Sequence, residues 1–334
     1  MLYDVRHCGV AVRLDQKGEM RRRISIAIKI LAFLPVAILA TSNAHAGGIQ
    51  LSPDAARTLD QIYSGDPDAA IATARSIEKS QPESPVGFLL EDEAVWWKTY
   101  CLACEIKWGM LDAWKRPKKP EDDAYFTLAD KAIDLARAQL AKSETAEQHV
   151  YVAIGFALKA RLYSLREERR AIAHAGVAAR TEVLRALELD PDNADATAIL
   201  GLYNYYIDTL SSIAKMLRFF MGIPGGDKED GIKRMRIGME KAAFLATDTR
   251  FYLAKNLRTY DQHYQEAVQI AEPLADRYPH NPVFLLLLGN FNSELGRNLK
   301  AAEYLHAAES TPTLDSACAD RARQLADLML AGVH

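Results

Sequence analysis

Two stretches of this chain line up with each other at a spacing of 34 residues, and an internal repeat of that period limits the possible folds more than any other feature. In residues 282–315, Leu285, Leu288, Gly289 and Asn292 fall in a first helical stretch, Gly296 turns the chain, Ala301, Leu305 and Ala308 fall in a second stretch, and Pro312 follows. Residues 248–281 have the same plan, with Phe251, Ala254 and Tyr260, then Ala267, Ala271 and Leu274, then Pro279. The pattern has a mechanical reason. Small side chains let two helices approach closely, and proline ends a unit because it cannot continue a helix. A unit of this kind cannot bury its apolar face alone, so neighbouring units must stack.

Period and residue types together resemble the tetratricopeptide repeat (TPR). Looser units precede the regular ones. Residues 51–84 carry Gly65 at a turn, then Ala70, Ala74, Ile77 and Pro82. Residues 160–192 carry Ala179, Val183 and Ala186 and close on Leu187-Glu188-Leu189-Asp190-Pro191. Between them, Val86 to Trp114 is apolar at helical spacing through Leu89, Leu90, Val95, Trp97, Leu102 and Ile106. A break at Pro117-Lys118-Lys119-Pro120 and a helix over 121–141 follow, and an amphipathic helix over 317–330 is placed to cap the end. No strand is expected. The expected fold class is all-α, a TPR-like αα-hairpin superhelix (solenoid) of about six helix pairs. Its parts are 1–46, an N-terminal extension and signal; 47–192, divergent helices; 193–247, an irregular long pair; 248–315, regular units; and 316–334, the cap.

The start of the chain has a different character. Met20-Arg21-Arg22-Arg23 is basic, Ile24 to Ala40 is apolar apart from Ser25, Lys29 and Pro35, and Ala44-His45-Ala46 is a small-x-small site. This is the layout of a secretory signal, with cleavage expected after Ala46. Met20 is the expected start, which leaves residues 1–19 as a start-site artefact or an unusually long basic region ahead of the signal. The expected location is the periplasm or the exterior. A membrane anchor through residues 24–40 is the alternative, although about 17 residues is short for a bilayer. Residues 1–46 carry seven Lys/Arg and three Asp/Glu, so the remainder has 34 basic against 41 acidic residues and a net charge near −7. That charge does not suit nucleic acid. The same remainder keeps Cys101, Cys104 and Cys318, an odd number that argues against a disulfide framework. Packing thiols are the first reading; a disulfide, local or to Cys318, is the second.

Residues 201–231 break the repeat. A long helix with Leu202, Tyr206, Leu210, Ile213 and Leu217 on one face is expected, then Gly222-Ile223-Pro224-Gly225-Gly226, with Asp227 capping a helix from Lys228. The strings GLYNYYIDTL and GIPGGDKEDGI ahead of repeat units resemble exported bacterial TPR proteins. They are distantly similar to the eukaryotic TPR family that includes the inclusion-clearance proteins of the mitochondrial outer membrane. That family also places an apolar helix and a short glycine-bearing loop before regular repeats. The resemblance implies no catalytic residues and no cofactor.

No nucleophile elbow, zinc-protease or dinucleotide motif is present, so no catalytic residue, cofactor or metal is assigned. The glycine loop lacks a Gly-Lys-Ser/Thr ending and reads as a turn between long helices. Glu91-Asp92-Glu93 reads as the start of a solvated helix face. Trp97 and Trp108 lie near one helical stripe, as core or as the lining of a ligand groove. Tyr203, Asn204, Tyr206, Gly225 and Gly226 complete the candidate binding residues. Three functions follow from these residues: a scaffold that holds a protein or peptide on its concave surface, a lipid or small-molecule carrier with a pocket between the long helices, and an enzyme using buried carboxylates. The scaffold is the leading expectation.

Overall fold

The computed structural model describes residues 48–211, 214, 215, 218, 222–312 and 315–332. The signal segment with Ala46, and the helix-face residues Ile213 and Leu217, lie outside them. Among the described residues the chain forms thirteen helices and one two-stranded hairpin. The helices are α1 (Pro53–Tyr63), α2 (Pro67–Ser80), α3 (Val86–Ala103), α4 (Asp122–Leu140), α5 (Ala146–Leu165), α6 (Arg169–Leu189) and α7 (Ala194–Thr209). They continue as α8 (Lys228–Lys241), α9 (Ala246–Asp261), α10 (Tyr264–Arg277), α11 (Pro282–Glu294), α12 (Asn298–Glu309) and α13 (Ser316–Leu330).

Local chemistry sets many of the starts. Ser52, Asp66, Thr145, Asn193, Asn281 and Asp315 each accept a backbone N–H of the first helical turn through their side chains. Asp227 caps α8 as its position implies, accepting from Asp230 N at 2.8 Å. Asp195 on α7 does a less local job. Its buried carboxylate accepts N–H groups from Ala243, Phe244 and Leu245 at 2.9–3.0 Å, which fixes the turn between α8 and α9.

Consecutive helices pack on one another through short connections. The small residues of the 34-residue pattern lie in the seams: Ala254, Ala267 and Ala301 are fully buried, and Ala271 and Ala308 nearly so. Packing is not only sequential, because α3 touches α1, α2, α4, α5 and α13. The end of α1 meets the α10–α11 connection, where Asn281 Nδ2 donates to Tyr63 O at 2.9 Å and Arg277 pairs with Asp60 at 2.9 Å. The first helix therefore rests against a connection 218 residues further along the chain.

The structure corrects four expectations. Helix α3 stops at Ala103, and Cys104–Lys107 (β1) pairs antiparallel with Met110–Ala113 (β2) where a helix to Trp114 was expected. The reversal occurs at Trp108 and Gly109, with φ of 53° and 76°. Two successive left-handed residues make the tight turn that suits a right-twisted hairpin. Second, Cys101 and Cys318 form a disulfide that spans 217 residues, and Cys104 is a free, buried thiol. Third, α7 ends at Thr209, where Leu210 turns extended with ψ 146°, so Leu210 does not continue one long helix. Fourth, Glu91, Asp92 and Glu93 are buried, not solvated, with the last two at 0% exposure.

Candidate functional site

The most unusual environment in the fold lies where α3 and the hairpin meet the inner sides of α9 and α11. At its apolar half sits Trp97. Its ring meets Phe251, Phe284 and Tyr63 edge-on at centroid distances of 5.0, 5.4 and 5.6 Å. Tyr100, one turn on, meets Phe251 at 5.3 Å. Such pairs add to the area they bury, by about 0.5–1.5 kcal/mol each.

Trp97 also has a polar edge. Its Nε1–H donates to Glu93 Oε1 at 2.8 Å and to Asp248 Oδ1 at 3.2 Å. Arg161, from α5, grips both Glu93 oxygens at 3.0 and 2.8 Å and pairs with Asp248. Its guanidinium lies over the rings of Tyr252 and Trp96. Burial pushes the Glu93 carboxyl up to about 8, against the pull of Arg161 and helped by the neighbouring Asp248. Burial likewise holds Asp92 well above the usual carboxylate range, with Glu93 adding to the effect. The Glu93 carboxyl therefore holds its proton more tightly than a free one, and Arg161 spans Glu93 and Asp248. Buried charges persist when paired in this way.

The polar half is the contact with the hairpin. Asp112 on β2 accepts from Lys255 Nζ at 3.0 and 3.1 Å and from Tyr100 OH at 2.9 Å. Burial works to lower the Lys255 pKa, and the Asp112 carboxylate outweighs it, so the ammonium is stabilised. Asn290 on α11 donates to Gly109 O at 2.8 Å and accepts from Leu111 N at 3.4 Å. Arg258 on α9, 1% exposed, donates to Asn290 Oδ1 and lies over the Phe291 ring at 5.7 Å. Its Nε and Nη1 are buried with no hydrogen-bond partner among the described residues. Burial lowers its pKa against the fields of Glu294 and Asp112. At the base of the hairpin, Cys101 is bonded to Cys318, and Arg321 of α13 donates to Cys104 O at 2.9 Å.

The candidate residues named from sequence separate. Trp97 is core. Trp108 stands at the hairpin tip, 83% exposed, with its ring edge-on to Trp114 at 5.3 Å. Tyr203 is buried and donates to Pro224 O at 2.9 Å, Asn204 donates to Asp230 at 2.8 Å, and Tyr206 donates to Asn256 Oδ1 at 2.9 Å. A Cβ on Gly226 would sit 2.6 Å from Asn204 O, so this glycine lets the loop lie against α7. A Cβ on Gly225 would meet only the tip of Arg218, at 3.2 Å. Thus Tyr203, Asn204, Gly225 and Gly226 gather at the α7–α8 junction, while Tyr206 turns to α9, beside Lys255.

Sequence reasoning read Glu93 as solvated and passed over Arg161, Asp248, Lys255, Arg258, Asn290 and Asp112. One signal was available: Glu93, Trp97 and Cys101 repeat at i, i+4, i+8, which places a carboxylate on the apolar stripe of α3.

Two concavities border this region. One, of about 20 Å³, is lined by Trp97, Lys98, Cys101, Asn281, Asp315 and Cys318 among others and has room for about one water. The other is an open depression at the start of α10, lined by Gln262, Tyr264, Gln265, Glu266, Gln269 and Leu295 among others. No helix among the described residues is long and apolar enough to cross a membrane. No group of three or more His, Cys, Asp or Glu among them is placed to hold a metal. No family model matches the chain, and no curated protein matches it.

Proposed function

We propose that the exported chain is a non-catalytic TPR-like scaffold that binds a segment of a partner protein on the inner side of α9 and α11. The observation that carries this reading is the grip those helices exert on the hairpin. Asn290 holds its backbone and Lys255 its carboxylate, as a peptide-binding surface would. The repeat reading is supported by the 34-residue register, whose small residues all lie in helix seams. Export into an oxidising compartment is supported by the Cys101–Cys318 disulfide, a bond that reducing cytosol disfavours. The buried carboxylates that an enzyme would use are engaged by Arg161 and Trp97. The cavity beside Trp97 is too small for a lipid or cofactor.

The test replaces Tyr260, 53% exposed on the last turn of α9, with a photo-crosslinking residue in cells. A discrete protein adduct, competed away by excess mature chain, is expected in the envelope fraction. Lipid adducts only, or none, would remove the reading. Intact mass of the same sample should begin at Gly47.

A further inference from the structure

The inner side of α9 and α11 offers more positive charge than the hairpin uses. Lys255 is neutralised by Asp112. Arg258 makes no ion pair among the described residues: two of its three nitrogens are unbonded, the side chain is almost fully enclosed, and Glu294, beside the hairpin turn, acts on it only through its field. Buried unpaired donors are costly and rare in finished structures, so the two open nitrogens of Arg258 point to an acceptor that the hairpin does not supply.

The hairpin has the form of an occupant. Asn290 bonds the carbonyl of Gly109 and the N–H of Leu111, backbone groups that any extended peptide would offer. Its specific contact is the Asp112 carboxylate. Alternation along β2 puts Met110 on the same face as Asp112. The tip carries Trp108 out into solvent instead of anchoring it.

We propose that the hairpin 104–113 is an internal stand-in for the partner, displaced by an extended, carboxylate-rich polypeptide segment. The partner would place one acid where Asp112 sits and another two residues earlier, toward Arg258. This rests on the scaffold reading above. The tethered hairpin competes at a local concentration in the millimolar range, so the partner must offer what the hairpin lacks, a second acid. Extended geometry and acidic character, not a particular sequence, define the ligand class.

The probe is a fluorescein-labelled octapeptide of residues 107–114 carrying Met110→Glu, titrated by anisotropy against the mature chain with its disulfide intact. Asp112→Asn in the chain weakens the stand-in and should tighten probe binding at least tenfold. Adding Arg258→Leu should abolish that gain. Equal binding to the parent and Asp112→Asn chains, or a gain that survives Arg258→Leu, overturns the proposal when circular dichroism shows both variants folded. If Asp112→Asn does not fold, the chain variant Met110→Glu decides. A stand-in acquiring its second acid should raise the Tm and exclude the probe, whereas a merely structural hairpin should melt lower. Failure of these arms with the Tyr260 adduct intact overturns the stand-in and leaves the scaffold; loss of both overturns both.

Discussion

Reducing the Cys101–Cys318 bond, or replacing both residues with serine, removes a crosslink between α3 and α13 that closes a loop of 217 residues. In the chain-entropy account the stabilisation grows with the logarithm of loop length, and a loop of this size gives about 5 kcal/mol at 25 °C. Unfolding a chain of roughly 290 residues releases about 0.6 kcal/mol per kelvin, so the loss corresponds to a fall in Tm of about 8 °C. The bond sits in a closed environment: Cys101 is 3% exposed and Cys318 is 7% exposed. Reductant should therefore act slowly on the native protein and quickly once it is unfolded. The assay is thermal melting by circular dichroism of the parent with and without prior reduction in urea, and of the Cys101→Ser/Cys318→Ser variant. Both treatments should converge on the same lowered Tm. Thiol counting should find one free cysteine in the denatured parent, Cys104, and three after reduction. Three free thiols without reductant, or a double-serine variant that melts with the parent, would refute the closure argument.

The charge assignment in the core makes Arg161 and Glu93 unequal. Arg161→Met strands Asp248 and should cost about 3–5 kcal/mol in urea unfolding, while Glu93→Gln, replacing a carboxyl that holds its proton more tightly than a free one, should cost far less. Equal losses would show that Glu93 is ionised. The same raised carboxyl sets a pH dependence: the fold binds its proton more tightly than the unfolded chain, so its stabilisation is complete below about 4.5 and is lost as pH rises through about 8. The Tm should drop between pH 6 and 9, and Glu93→Gln should flatten that slope. Gly226→Ala drives a Cβ into the Asn204 backbone and should cost about 1–3 kcal/mol, whereas Gly225→Ala meets only a movable arginine tip and should be near neutral. Ala301→Glu places a charge in a fully buried seam and should lower stability by several kcal/mol. A parental melt for that variant would mean the 34-residue register is wrong.

Features set by neighbours within one turn or one repeat were legible. The register of α9–α12, the cap at Asp227, the break after Trp114 and the last helix all follow from short-range chemistry. The hairpin was hidden because Leu102 and Ile106 keep helical spacing across the point where α3 ends. Its turn also begins with tryptophan, a residue that seldom adopts left-handed φ. The disulfide was hidden because Cys104, three residues from Cys101, is the nearer candidate, and sequence does not say that α13 returns to α3. Ion pairs such as Arg161–Asp248 and Lys255–Asp112 join residues 87 and 143 positions apart. Each charge alone reads as solvated surface, and only closure of the chain buries it.

The two halves of the α3–hairpin contact differ in what it costs to open them. Trp97, Tyr100, Phe251 and Phe284 form one aromatic cluster, and separating them would expose large apolar rings with nothing to replace the lost burial. The Lys255, Asn290 and Asp112 contacts are hydrogen bonds and an ion pair, each worth only about 0.5–3 kcal/mol net, because water or another carboxylate can take over the same donors. An exchange of partners on the polar half must in addition replace the buried Leu111 side chain, so the incoming segment needs an apolar residue there, while the aromatic half stays shut. The Cys101–Cys318 bond lies at the boundary, on the last turn of α3 just before the hairpin begins. It holds α3 in place without crosslinking β2, so displacing the hairpin must overcome the burial of Leu111 and the polar contacts but not the disulfide.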